Sequence, residues 1–129
     1  MIVVDSSVWI DHFRNNATVS VQKFRDLGRP TRIVVGDLVL LEVLQGARDN
    51  RHAVRLEQIL RQFRVEAMLD DAVAVKAAAN YRMLRAQGIT VRKTIDLIIA
   101  TFCVERRHSL LHDDRDFDLI VPHIGLGVI

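Results

Sequence analysis

Cysteine, proline, glycine and aromatic residues are all scarce in this chain. Its 129 residues include one Cys, two Pro and six Gly, and 5% are aromatic. A single cysteine cannot close an internal disulfide, and Cys-rich zinc sites are excluded with it. The expected compartment is a reducing cytoplasm. No apolar run approaches the ~20 residues of a membrane helix. The segment Met1–Asp5 has neither the basic region nor the cleavage site of a signal peptide. A surplus of one charge sign is missing too. Lys plus Arg is 18 and Asp plus Glu is 16, a net charge of +2. That excess is too small to argue nucleic-acid binding by itself, so the placement of the charges matters more.

What is present suits one compact domain over residues 1–129, without repeat, linker or low-complexity stretch. Half the residues are hydrophobic and 26% are charged, which excludes a disordered chain. Short apolar runs without clean alternation predict buried strands at Ile2–Val4, Ile33–Val35, Val65–Leu69, Ser109–Leu111 and Ile124–Ile129. Helical spacing predicts helices at Ser7–Arg14, Val19–Leu27 and Ile95–Arg107. Gly28 stops the second of these, and three more are expected to be capped by Asp37, Asn50 and Asp70, the first ending near Gly46 and the last at Gly88. Strands alternating with helices predict an α/β fold with a mainly parallel sheet of four to five short strands.

Open α/β sheets bind ligands at the carboxyl ends of their strands. Asp5 directly follows the strand Ile2–Val4, and the acidic loop His112–Asp116 directly follows Ser109–Leu111. Glu42 and Asp96 sit inside otherwise apolar helices, where an acid is rarely buried unless paired or bound to a metal. Each has a plainer reading. Asp5 and Asp96 can cap helices, and Glu42 can pair with an arginine. Those readings need four acids to take such positions independently. Clustered carboxylates suit hard cations such as Mg2+ or Mn2+, which assist phosphodiester hydrolysis. Arg92, Lys93 and Arg115 lie near these acids in sequence and are candidates for contacts to the phosphates of the substrate, although each alone reads as a surface charge.

Four ordered segments carry a resemblance: Ile2-Val3-Val4-Asp5-Ser6-Ser7-Val8-Trp9-Ile10, Leu41-Glu42-Val43-Leu44-Gln45-Gly46, Asp96-Leu97-Ile98-Ile99-Ala100, and Leu110 through Phe117. Together they resemble PIN domains, most of all the VapC ribonuclease toxins of type II toxin–antitoxin systems. The resemblance spans essentially the whole chain. It implies a Rossmann-like α/β/α sandwich. It implies Asp5, Glu42, Asp96 and Asp114 as catalytic, metal-binding residues for Mg2+, with Mn2+ able to substitute. Ser6 matches the hydroxyl residue that follows the first acid and assists through a water. Asp116 matches the second acid of the last motif, and as a cap it would start a short helical turn packing Phe117 and Ile120. The implied activity is metal-dependent endoribonuclease action on tRNA, rRNA or mRNA, inhibiting translation or growth. The implied partners are a VapB-like antitoxin, with a C-terminal segment near the acidic groove, and a second copy in a homodimer. The apolar face Val8–Phe13 is a candidate interface for that dimer. His112 departs from the family, where many relatives carry Thr or Ser.

Other readings fare worse. A haloacid-dehalogenase-like phosphatase needs an acid where Ser7 stands. A signalling receiver needs paired acids after strand one and a lysine after the last strand, but Pro122–Ile129 has no lysine. A PIN-fold RNA-processing nuclease outside toxin–antitoxin systems, and a non-catalytic PIN-fold binding module, remain as alternatives. The five histidines lack HExxH spacing. Cys103, Trp9 and Tyr81 read as packing residues.

Overall fold

The computed structural model describes residues 1–129. Four parallel strands form one sheet in the order β3–β2–β1–β4. They are β1 (Ile2–Val4), β2 (Ile33–Gly36), β3 (Arg64–Glu66) and β4 (Ser109–Leu111). The helices are α1 (Ser6–Phe13), α2 (Val19–Asp26), α3 (Asp37–Gln45), α4 (Asn50–Leu60), α5 (Asp71–Ala86), α6 (Thr94–Arg106) and α7 (Arg115–Ile124). α1 to α4 pack among themselves, as do α5 to α7, giving the two helical layers of an α/β/α sandwich. None is long and apolar enough to cross a membrane.

The sheet explains the apolar runs. β1 has a neighbour on each edge and is buried on both faces, so Ile2-Val3-Val4 needs no polar alternation. Parallel register pairs Val4 with Leu111, and the Asp5 N–H donates to the Leu111 carbonyl at 2.9 Å. The chain therefore leaves β1 and β4 side by side, bringing Asp5 next to the His112–Asp116 loop. Trp9, Phe102 and Phe117 are the largest fully buried side chains. Burying each contributes roughly 1.5–3 kcal/mol. Cys103 lies in the same core, where burial pushes its thiol up to about 12.

Several boundaries differ from expectation. Ile124–Ile129 is not a strand. α7 runs to Ile124 because Phe117 and Ile120 turn inward at helical spacing, and only Val128 then bridges Leu110. The stretch expected as Val65–Leu69 shortens to Arg64–Glu66, because the Met68 N–H donates to Asp37 Oδ1 instead of a neighbouring strand. Asp37 is thereby occupied and Gly36 takes the N-cap position of α3. Asp49 rather than Asn50 caps α4, accepting from the His52 N–H at 2.8 Å. Asp70 does cap α5, and Gly28 and Gly88 adopt φ of +70° and +78° just past their helices. Tyr81 is 41% exposed rather than packed. Part of the Val8–Phe13 face is turned inward, while Ile10 and Phe13 stay half-exposed. Val8 and Trp9 are buried, and Trp9 stacks on Phe13 at 5.7 Å and meets Phe24 and Phe63 edge-on.

Candidate active site

Asp5 is both the N-cap of α1 and a candidate site residue. Its Oδ2 accepts from the Ser7 N–H at 3.1 Å and the Ser7 hydroxyl at 2.6 Å, while Oδ1 is buried without a partner. Burial raises its pKa above 3.8 despite those bonds. Ser7 was not singled out from sequence. Its hydroxyl also accepts from the Asp113 N–H at 3.1 Å, so one side chain fixes Asp5 and ties down the acidic loop. The signal available was its position two residues after an N-cap aspartate, where a hydroxyl returns to the cap.

Ser6 donates to Glu42 Oε1 at 3.2 Å, joining α1 to α3. Glu42 is half-buried and its pKa is raised, first by burial and then by the charge of Asp5. Asp96 is the third residue of α6 and does not cap it; Lys93 holds the N-cap position without a side-chain bond. Only 3% of Asp96 is exposed. Burial pushes its pKa up to about 6, against the pull of Lys93 and with help from Asp5 and Asp114.

Asp114 caps α7, correcting the expectation that Asp116 does so. Its Oδ1 accepts from the Asp116 N–H at 2.9 Å and its Oδ2 from Lys93 Nζ at 3.2 Å. Burial works to raise its pKa, but those two donors outweigh it and hold the carboxyl below its ordinary value. Lys93 Nζ also lies 3.5 Å from Asp96 and 3.8 Å from Asp116. Its pKa is raised because these acids outweigh its own desolvation. Ligand-capable atoms of Asp96, Asp114 and Asp116 all fall within 4.8 Å of one another. Asp5 and Glu42 stand outside that triad, but near enough for their charges to be felt. Asp113 is exposed. His112 Nδ1 accepts from the Asp114 N–H at 3.2 Å, with its ring 5.0 Å from Phe117. Arg92 and Arg115 are exposed and make no ion pair with the acids; Arg92 shares a small recess with Lys93, Asp96 and Asp116.

The donors are all carboxylate oxygens, the set that hard divalent cations take. The partnerless Asp5 Oδ1 and the raised pKa values of Asp5, Glu42 and Asp96 fit a site short of positive charge.

Comparison with known proteins bears on the family and the fold. A family model described as the PIN domain matches residues 2–121. Ribonuclease VapC11 of Mycobacterium tuberculosis is 32% identical over 123 residues, covering 93% of this chain and 91% of that protein. The chain belongs to the PIN domain family and, within it, to the VapC ribonucleases. Solved structures share the fold. VapBC2 from Rickettsia felis, bound to a promoter DNA fragment, superposes with a TM-score of 0.79 at 15% identity, over 100% of this chain and 98% of that one. A toxin–antitoxin complex from Klebsiella pneumoniae gives 0.74 at 19% identity, over 100% and 96%.

Proposed function

We propose that this chain is the toxin of a type II toxin–antitoxin pair, a single catalytic domain over residues 1–129. In this reading it hydrolyses RNA phosphodiester bonds and so inhibits translation or growth. The supporting observation is the cluster of Asp96, Asp114 and Asp116, with Asp5 and Glu42 near enough for their charges to act on it, in a relative of proteins named ribonucleases. The working cation is Mg2+, with Mn2+ able to substitute. Bound there, it would neutralise phosphate charge and acidify a water.

The chain's own residues do the rest. Asp5 Oδ1, Asp96 and Asp114 would hold the cation, with Glu42 ligating directly or through water and Asp116 beside them. Ser6 occupies Glu42 Oε1, so Oε2 is the oxygen free to face the cation or a water on it. Ser7 keeps Asp5 in one rotamer. Water is the nucleophile, so the products carry 5′-phosphate and 3′-hydroxyl ends. Ends bearing 2′,3′-cyclic phosphate would sink this route.

The partners in this reading are a VapB-like antitoxin, a tRNA, rRNA or mRNA substrate, and a second copy in a homodimer that joins a larger complex with the antitoxin. The location is the cytoplasm. The test is expression without antitoxin. The natural chain should slow growth, and Asp5→Asn and Asp96→Asn should not. If both variants are as toxic as the parent, the site assignment is wrong.

A further inference from the structure

One basic side chain stands among the acids of the candidate site. The Lys93 ammonium is 3.2 Å from Asp114 Oδ2, 3.5 Å from Asp96 Oδ2 and 3.8 Å from Asp116 Oδ2. We propose that Lys93 is an exchangeable counter-ion: its ammonium and a divalent cation hold these oxygens alternately, and the ammonium displaced by the cation passes to a phosphate of the bound RNA. The inference rests on the ribonuclease reading and adds to it a residue that ties cation occupancy to substrate binding.

Shared oxygens are the first argument. Asp114 Oδ1 already accepts from the Asp116 N–H, so Oδ2 is the oxygen left for a cation, and Lys93 donates to it. Asp96 Oδ2 is buried without a hydrogen-bond partner, and Lys93 supplies its ion pair. Lysine and a metal ion therefore compete for the same atoms. A hard cation takes carboxylate oxygens at about 2.0–2.6 Å, and at that range its charge and the ammonium exclude each other.

Ease of release is the second. Lys93 makes one hydrogen bond to the acids and otherwise only longer ion pairs. Its side chain is half-exposed and makes no capping bond at the start of α6, so moving it breaks no core packing. The chain has fifteen arginines and three lysines, Lys23, Lys76 and Lys93, and one of the three faces the acids. An arginine would grip two oxygens with a rigid fork. An ammonium is a point charge on a flexible stem and is easier to displace.

Charge balance is the third. A single ammonium faces three carboxylates, and it hydrogen-bonds to neither Asp5 Oδ1 nor Asp96 Oδ2, which are buried without partners. A divalent cation brings twice the charge to the same acids, so the exchange favours it. The released ammonium stays tethered three residues from Asp96, at the mouth where a phosphate meets the acids. Lysine binds phosphate as a point charge. Cation and RNA then strengthen each other's binding, because each draws Lys93 off the acids.

The experiment measures Mn2+ binding to the full chain without RNA, from the electron paramagnetic resonance of free Mn2+. Lys93→Met should bind Mn2+ about fivefold tighter than the parent, the weight of one half-exposed ion pair. Lys93→Arg should bind it more weakly than the parent. Lys76→Met, at an exposed lysine of α5, should match the parent. Near-UV circular dichroism in EDTA checks each fold, and if Lys93→Met does not fold, the order of Lys93→Arg and parent decides. Initial rates at saturating Mn2+ test the second half. Lys93→Met should raise KM for a short single-stranded RNA about fivefold, the loss of one charged contact. Lys93→Arg should keep the parent's KM, because phosphate accepts either cation.

Equal or weaker Mn2+ binding by Lys93→Met would overturn the exchange. So would Lys93→Arg binding at least as tightly as the parent. Tighter binding by Lys93→Met with an unchanged KM would overturn the transfer to phosphate, since the cation alone would then hold the RNA. A parent chain that cuts RNA while all variants bind Mn2+ alike would remove the exchange and leave the nuclease reading standing. A parent chain that shows the expected order of Mn2+ affinities but never cuts RNA would do the reverse. A parent chain that binds no Mn2+ would overturn both.

Discussion

The carboxylates of the cleft are held in two different ways. On one side, Asp5 and Glu42 are fixed by the hydroxyls of Ser7 and Ser6, and burial raises both pKa values. On the other, Asp114 and Asp116 face the Lys93 ammonium, and the pKa of Asp114 is lowered. Asp96 lies between, pushed up to about 6 although Lys93 Nζ is 3.5 Å away. Neutral hydroxyls set geometry without supplying charge. A built-in ammonium offsets repulsion, but it stands where an incoming cation must compete. The serine side is therefore ready for a cation, and the lysine side is tolerable without one.

The largest expected effect is on turnover. Asp5→Asn or Asp114→Asn should lower cleavage by on the order of a hundred- to a thousandfold, as removal of a charge-stabilising group does. Near-UV circular dichroism should stay unchanged, because Asn can accept the capping bonds of either aspartate. Asp116→Asn should cost less than Asp114→Asn. Ser7→Ala comes next, at about ten- to a hundredfold, typical of a residue that orients a metal ligand. Ser6→Ala should cost less, since Glu42 is only half-buried. If Ser6→Ala proves worse than Ser7→Ala, the serine side is organised around Glu42 and not Asp5.

Stability tests the other side. Asp96→Asn removes a charge that the fold disfavours. Relief of ~1 kcal/mol would raise the melting midpoint in EDTA by about 3–5 °C, and the gain on adding Mn2+ should shrink. The sign in pH follows from the raised pKa. Below the ordinary value of 3.8 Asp96 is neutral in folded and unfolded chains alike, and above about 6 it is charged in both and penalised in the folded one. The metal-free parent should gain stability as pH falls from 7 through 6 toward 5, and Asp96→Asn should lack much of that gain. Thermal melts at both pH values decide it. Lys93→Met should act oppositely, melting about 2 °C lower in EDTA and gaining more from Mn2+. The smallest effect belongs to Asp113→Asn, which should cut RNA at close to the parent rate. A dead Asp113 variant beside an active Asp114 variant would shift the loop by one residue.

The strands of the sheet centre were legible because burial on both faces leaves an unbroken apolar signature, as in Val3-Val4 and Val34-Val35. The acids were legible for the opposite reason, as charges set among apolar neighbours. What was hidden depended on partners distant in sequence. Nothing near Met68 announces that its N–H will bind Asp37, ending β3 early. Lys93 read as a surface charge because its three acidic partners are drawn from α6 and from the start of α7. Sequence alone does not say that the first turn of α1 sends Ser7 to Asp5 and Ser6 to Glu42.

The strand order carries a consequence in time. β1 is synthesised first, yet one of its two neighbours is β4, encoded near the other end of the fold. Asp5 and Asp114 are separated by roughly a hundred residues, which a ribosome adds in about 5–20 s. Throughout that interval the first strand keeps an unpaired edge, and the acids of the last loop do not yet exist. The candidate site therefore cannot close until translation has passed residue 116.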